Sequence, residues 1–153
     1  MTSCVVVVGY NGGRVHDIQK LRDLCKSMYD ARLVLLVEHI QPHDDQVADH
    51  VCSTSLAEND VAASLELVVG CLKADRWKLI GVLPFSDRGV VLGAALASHF
   101  GLPGITQAQA RAGLDKQVLR KLEASATTAP EDYRPVASIR VESLAELRQR
   151  VIE

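Results

Sequence analysis

Three stretches of the chain are apolar without alternation: Val5–Val8, Leu33–Val37 and Leu79–Leu83. A strand exposed on one face alternates polar and apolar residues, whereas one covered on both faces has no need to. These runs predict buried parallel strands, the first within Ser3–Gly9 and the last within Trp77–Leu83, where Pro84 stops it. Between them the period lengthens. Val15, Ile18, Leu21, Leu24, Cys25 and Met28 share one helical face, and Val61, Leu65, Val68, Val69 and Leu72 share another within Asn59–Ala74. Val90 to Phe100 is apolar on nearly every side. Ser86 and Asp87 are good N-cap residues for it, and Gly101 and Pro103 punctuate its end. The first strand, the glycine-rich turn Gly9-Tyr10-Asn11-Gly12-Gly13, the first helix and the second strand form a βαβ unit, for which a right-handed crossover is nearly obligatory. The continuing alternation predicts an α/β fold with a doubly wound, mostly parallel sheet.

The remaining pattern is more polar. Glu38 to Ala57 reads as a solvated loop around a short strand near Val51-Cys52. Thr106 can cap a short helix over Gln107–Arg111, which Gly113 would break, and Asp115 to Glu123 predicts another helix. Ser125 to Pro135 is small, polar and proline-bounded, and reads as a mobile loop. Val136 to Val141 could form a strand. Ser143-Leu144-Ala145-Glu146 is a capping box opening a last helix to Ile152.

Composition narrows the function. The 153 residues suffice for a real core, and 48% apolar with 24% charged residues is the balance of a soluble globular protein. A net charge of −2 and 4% aromatics argue against a grip on nucleic acid or anionic lipid. No apolar run reaches the ~20 residues that span a bilayer. Met1-Thr2-Ser3-Cys4 leads into a strand without a signal sequence, so a cytoplasmic protein is expected. Cys4, Cys25, Cys52 and Cys71 form no C-x-x-C pair, and read as reduced, structural thiols rather than a zinc or redox motif.

The glycine turn lacks the G-x-G-x-x-G of dinucleotide folds and, with Arg14 after Gly13, the Lys of a P-loop. Gly12 and Gly13 could let backbone amides approach a ligand at a helix N-terminus, or could serve only a tight turn needing positive φ. Ser86, Asp87 and Arg88 follow a strand at its carboxyl end, where open α/β sheets bind ligands; alternatively they only cap a helix. His39, His43, His50, Asp44, Asp45 and Asp49 invite a metal, but Pro42 breaks the helix that would align His39 with His43, so no metal site is expected. No nucleophile or catalytic triad stands out, and no catalytic residue is assigned.

The polar turn after a strand, the small-residue helix, Gly101-Leu102-Pro103-Gly104, and then Asp115-Lys116 with Arg120 four residues on, together resemble the ATP-grasp ligases. The likeness is to the biotin carboxylase, carbamoyl-phosphate synthase and L-amino-acid ligase branch. It implies a Rossmann-like pre-ATP-grasp domain over residues 1–112, and a linker helix with the start of the ATP-grasp region over 113–153. It implies that Lys116, and with less support Arg120, contact ATP phosphates, and that Gly12, Gly13, Ser86, Asp87 and Arg88 face substrate. ATP and Mg2+ would serve the complete enzyme. The partners implied are the remaining ATP-grasp domain and small carboxylate and amine substrates. The chain stops at Glu153, before a second phosphate lysine, an adenine pocket or acidic magnesium ligands. No activity and no cofactor are therefore expected of it alone.

Two other readings stand beside this one. The chain could be a stand-alone flavodoxin-like module that binds a small molecule or regulates. It could also be structural, forming a homodimer through the Ala94-Ala95-Ala97 helix.

Overall fold

A computed structural model describes residues 1–126, 130–134 and 140–152. The chain divides into two compact units, Met1–Ala110 and Arg111–Glu153.

The first unit is a four-stranded sheet. Its strands are β1 (Thr2–Val8), β2 (Arg32–Val37), β3 (His50–Ser53) and β4 (Trp77–Pro84). They lie in the order β3-β2-β1-β4, and every pairing is parallel. The unalternating valine and leucine runs thus become the two central strands, as their composition requires. Consecutive residues on them face opposite ways. Cys4, Val6 and Val8 of β1, with Val34 and Leu36 of β2, join a core beneath helices α3 (Val61–Ala74) and α4 (Val90–His99). Val7, Leu33, Leu35 and Val37 join a second core with Ile18 of α1 (Val15–Tyr29) and Val47 of the one-turn helix α2 (Asp44–Val47). Helices cover both faces, so the sheet is doubly wound.

Several boundaries differ from expectation. β4 runs through Pro84, which an edge strand tolerates because nothing needs the missing N–H. A shift in its register against β1 pairs Cys4 with Leu79 but Val5 with Gly81, leaving a bulge at Ile80. Neither Ser86 nor Asp87 caps α4 by a side-chain bond. A 3-10 turn, Asp87–Gly89, leads into the helix instead. Ala94 and Ala95 lie in the core under α4, and Ala97 packs against Gly104. These alanines are 6% exposed or less, so they offer no face to a second copy. The stretch Glu38–Ala57 is not simply solvated, since it contains α2 and the fully buried Asp44.

α5 (Gln107–Leu114) continues through Gly113. Its cap is reciprocal: the Gln109 amide donates to Thr106 Oγ1 at 3.2 Å, and the Thr106 amide to Gln109 Oε1 at 2.9 Å. In the second unit, α6 (Lys116–Ser125) is capped by Asp115, whose Oδ1 accepts from the amides of Gln117 and Val118 at 2.8 and 3.3 Å. α7 (Leu144–Ile152) opens at Ser143, whose Oγ accepts from the Glu146 amide at 3.1 Å. Most of the expected strand Val136–Val141, and part of the expected loop Ser125–Pro135, lie outside the described residues.

Candidate functional site

In this strand order the chain moves outward from β1 through β2 to β3, then returns across the sheet to β4. The crevice between the loops after β1 and β4 is therefore a topological switch point, the place where open α/β sheets bind ligands. A cleft of about 650 Å³ opens there, at the carboxyl ends of the strands.

Two glycines let the loops after β1 and β4 come together, and the first of them, Gly9, lines the cleft. Gly9 ends β1 with a φ of 67°, and a Cβ on it would stand 2.5 Å from Ser86 Oγ and 3.0 Å from Leu56 Cδ1. The positive φ expected of the glycine turn thus falls on Gly9, not on Gly12 or Gly13. Gly89 lies so close to the end of β1 that a Cβ would stand 2.1 Å from the Val8 carbonyl oxygen. That same oxygen accepts from the Phe85 amide at 3.0 Å, so the two loops are fastened side by side.

Side chains close the walls. Glu38, at the end of β2, takes a two-point ion pair from Arg88, with Nη2 to Oε1 at 2.7 Å and Nη1 to Oε2. The Leu56 amide donates to the same Oε1 at 3.4 Å, and Ser53 Oγ donates to the Glu38 carbonyl at 2.8 Å. Glu38 thereby joins the ends of β2, β3 and β4. Tyr10 donates its hydroxyl to buried Asp44, which also accepts from the Gln41 amide at 2.7 Å. Burial, and then the bond to Asp44, push the Tyr10 phenol above its ordinary range. Its hydroxyl stays protonated at neutral pH and acts as a donor. His43 stands edge-on to the Tyr10 ring, and its Nε2 is buried without a hydrogen-bond partner, 3.7 Å from Asp44 Oδ1. Asn11, which lines the cleft, accepts at Oδ1 from the Gly13 amide at 3.2 Å; outside it, Arg14 lies over the Phe85 ring at 5.2 Å.

Of the residues expected to face substrate, Gly12, Ser86, Asp87 and Arg88 line the cleft. Gly13 sits beside it, in the 3-10 turn that opens α1. Tyr10, Glu38, His39, His43 and Leu56 line it too, without having been singled out as site residues. For Glu38 a signal existed: an acidic residue directly after a buried parallel strand stands on the ligand-binding edge.

Among the described residues, no group of three or more His, Cys, Asp or Glu side chains is placed to hold a metal ion. Asp44, Asp49 and His50 of the histidine- and aspartate-rich stretch serve the structure. Asp44 anchors Tyr10, and Asp49 accepts from Arg22 and from the Leu33 amide. His50 stacks edge-on to Trp77 at 5.1 Å.

Lys116 and Arg120 belong to the second unit, one turn apart on α6. Lys116 is exposed and has no partner among the described residues. It stands at the helix N-terminus, the end where the peptide dipoles disfavour a cation. Arg120 is engaged. Nη1 lies 2.6 Å from Glu123 Oε2, which raises the already high pKa of the guanidinium and holds Glu123 below the usual carboxylate range.

No family model matches the sequence, and no curated protein does either. Solved structures do match in fold. The crystal structure of L-amino acid ligase from Bacillus licheniformis superposes with a TM-score of 0.63 at 14% identity, over 99% of this chain and 42% of that one. Phosphoribosylglycinamide synthetase from Anaerococcus prevotii gives 0.55 at 15% identity, over 81% of this chain and 28% of that one. The chain is thus structurally similar to a domain-sized part of ATP-grasp enzymes, and spans less than half the length of either. Among the described residues, no helix is long and apolar enough to cross a membrane.

Proposed function

We propose that this chain serves as the N-terminal domain of an ATP-dependent carboxylate–amine ligase of the ATP-grasp type. In such a reaction ATP gives its γ-phosphoryl group to a carboxylate, forming an acyl phosphate and ADP. An amine then attacks the acyl carbon and expels phosphate, leaving an amide. The observation that carries this reading is the switch-point cleft between the β1 and β4 loops, set in a sheet of the same fold as two such enzymes.

On this reading residues 1–112 present the cleft to substrate through Gly12, Gly13, Ser86, Asp87 and Arg88. Residues 113–153 begin the ATP-binding region, in which Lys116 offsets phosphate charge. Its exposed position at a helix N-terminus, without a partner among the described residues, supports that role, because a cation there costs the helix stability. Arg120 would have to release Glu123 to join it. Among the described residues no cluster of His, Cys, Asp or Glu fits Mg2+, so on this reading its ligands would come from another domain. Small carboxylate and amine substrates and the remaining ATP-grasp domain are the partners, and the compartment is the cytoplasm.

A single exposed cation holds a triphosphate poorly, because water screens it. Calorimetry of the 153-residue chain with ATP and Mg2+ should therefore give binding weaker than about 1 mM. In an enzyme containing this chain, Lys116→Ala should lower ligation about a hundredfold, since the charge then acts inside a closed, partly desolvated cleft. An unchanged rate would remove Lys116 from the site. A second reading, a stand-alone binding module, is favoured by one fact: the cleft is complete within the first unit. Micromolar binding of ATP by the chain alone would favour that module instead.

A further inference from the structure

Helix α1 buries Ile18 and Cys25 but leaves a second apolar stripe in water. Leu24 is 48% exposed and Met28, one turn on, is 63% exposed, with half-buried Leu21 beside them. A groove of about 370 Å³ follows this stripe, lined by Asp17, Lys20, Leu21 and Leu24 together with Arg14 and Phe85. The first four stand at i, i+3, i+4 and i+7, the set of positions that forms a hole for a knob from a facing helix. Met28 has the make of such a knob, being long, adaptable and exposed one turn beyond the hole.

We infer that this face of α1 is the contact between two copies of the chain, joined by a two-fold axis that sets α1 antiparallel to α1. The occupant follows from the spacing. Reversing one helix over the other about Leu24 puts Lys20 opposite the partner's Met28, because each stands four residues from the axis. Each Met28 then enters the hole of the other helix, and the two Leu24 side chains meet between them. One patch supplies both knob and hole, as an isologous interface requires.

Charge agrees with this register. Lys20 and Asp30 are exposed, and their side chains form no ion pair among the described residues. In the antiparallel pairing Lys20 meets the C-terminal turn of the other α1, where the peptide dipoles favour a cation. Asp30 caps that end, about 3 Å along the axis from Met28 and within reach of a lysine. Two Lys20–Asp30 pairs thus flank the apolar seam, whereas a parallel pairing would set lysine against lysine and aspartate against aspartate. A seam along one 15-residue helix is smaller than the ~1,200 Å² of a standard interface, so the association is weak and follows concentration. It rests on the first unit alone and holds whether or not the chain serves a ligase.

The test is sedimentation equilibrium of the 153-residue protein across the micromolar range. The expected result is a reversible rise from the mass of one chain towards that of two, with a midpoint near ~100 μM. Leu24→Glu and Met28→Glu should each weaken it about tenfold, and should leave the melting temperature of the dilute protein unchanged because both side chains are exposed. Leu122→Glu, at an exposed position of α6, should keep it. Lys20→Glu should weaken it about threefold, and Lys20→Glu combined with Asp30→Lys should restore it. Without any variant, amide exchange over Leu24–Tyr29 should slow as the protein is concentrated. A single-chain mass at every concentration would overturn the proposal and leave this face to a different partner. A dimer indifferent to Leu24→Glu and Met28→Glu, or one whose α1 amides exchange no more slowly than the monomer's, would overturn it by putting the interface elsewhere. Failure of the charge exchange to restore association would overturn the antiparallel register.

Discussion

A φ of 67° at Gly9, with Ser86 Oγ where a Cβ would go, leaves one residue type for that position. Gly9→Ala should cost about 1–3 kcal/mol through backbone strain and displacement of the β4 loop, read by urea unfolding. Asp49 shows the opposite kind of constraint, one made by partners. Its side chain is 10% exposed and accepts from the Leu33 amide at 2.9 Å and from Arg22 Nη2 at 2.8 Å. Burial opposes its charge, but the Leu33 amide and the arginines outweigh burial and hold it below the ordinary carboxylate range. Its contribution is therefore complete above the unfolded pKa of about 3.9, and is lost as pH falls through the lower folded value. Asp49→Ala should destabilise by about 2–4 kcal/mol at neutral pH, by stranding an amide and a guanidinium. Unfolding between neutrality and acid should show a shallower acid limb in the variant. The pairings of Asp49 and Glu38 could not be read along the chain, because their partners arrive from far away: Arg22 from α1 and Arg88 from the β4 loop.

The elements themselves were more legible than their ends. Unalternating apolar runs identify β1 and β2, the central strands covered on both faces; the third run, Leu79–Leu83, becomes the edge strand β4, in which only Leu79 is buried. α2 went unseen because one turn of helix is too short to show a period. α5 passes through Gly113 because its cap and the burial of Ala110 and Ala112 outweigh the ~1 kcal/mol that a helical glycine costs. Of the expected caps, Thr106 and Ser143 accept backbone amides, whereas Ser86 and Asp87 do not, the space before α4 being filled by a 3-10 turn; Asp115, expected inside its helix, caps α6 instead. Asp115→Ala should cost α6 about 1 kcal/mol. Faster exchange of the Gln117 and Val118 amides, with the sheet amides unchanged, would register it.

For the molecule as a whole, the cleft follows from topology as much as from any residue. Strand order 3-2-1-4 puts the loops after β1 and β4 side by side, and the sequence announces neither loop as the neighbour of the other. The loop after β4 was legible as a ligand edge, while the joining role of Glu38 emerged only once the strands were in order. The same order bears on how the protein is made. β1 is the first strand to leave the ribosome, yet it takes its second neighbour last, since Thr2 pairs with Trp77 and Val8 with Pro84. At ordinary rates of translation the valine-rich strand waits on the order of ten seconds with one edge bare. A fragment ending before Trp77 should show no cooperative thermal transition by circular dichroism, whereas residues 1–110 should show one. Through that interval the nascent chain carries an open, apolar strand edge, and a chaperone that holds extended apolar segments is the factor on which its yield would depend.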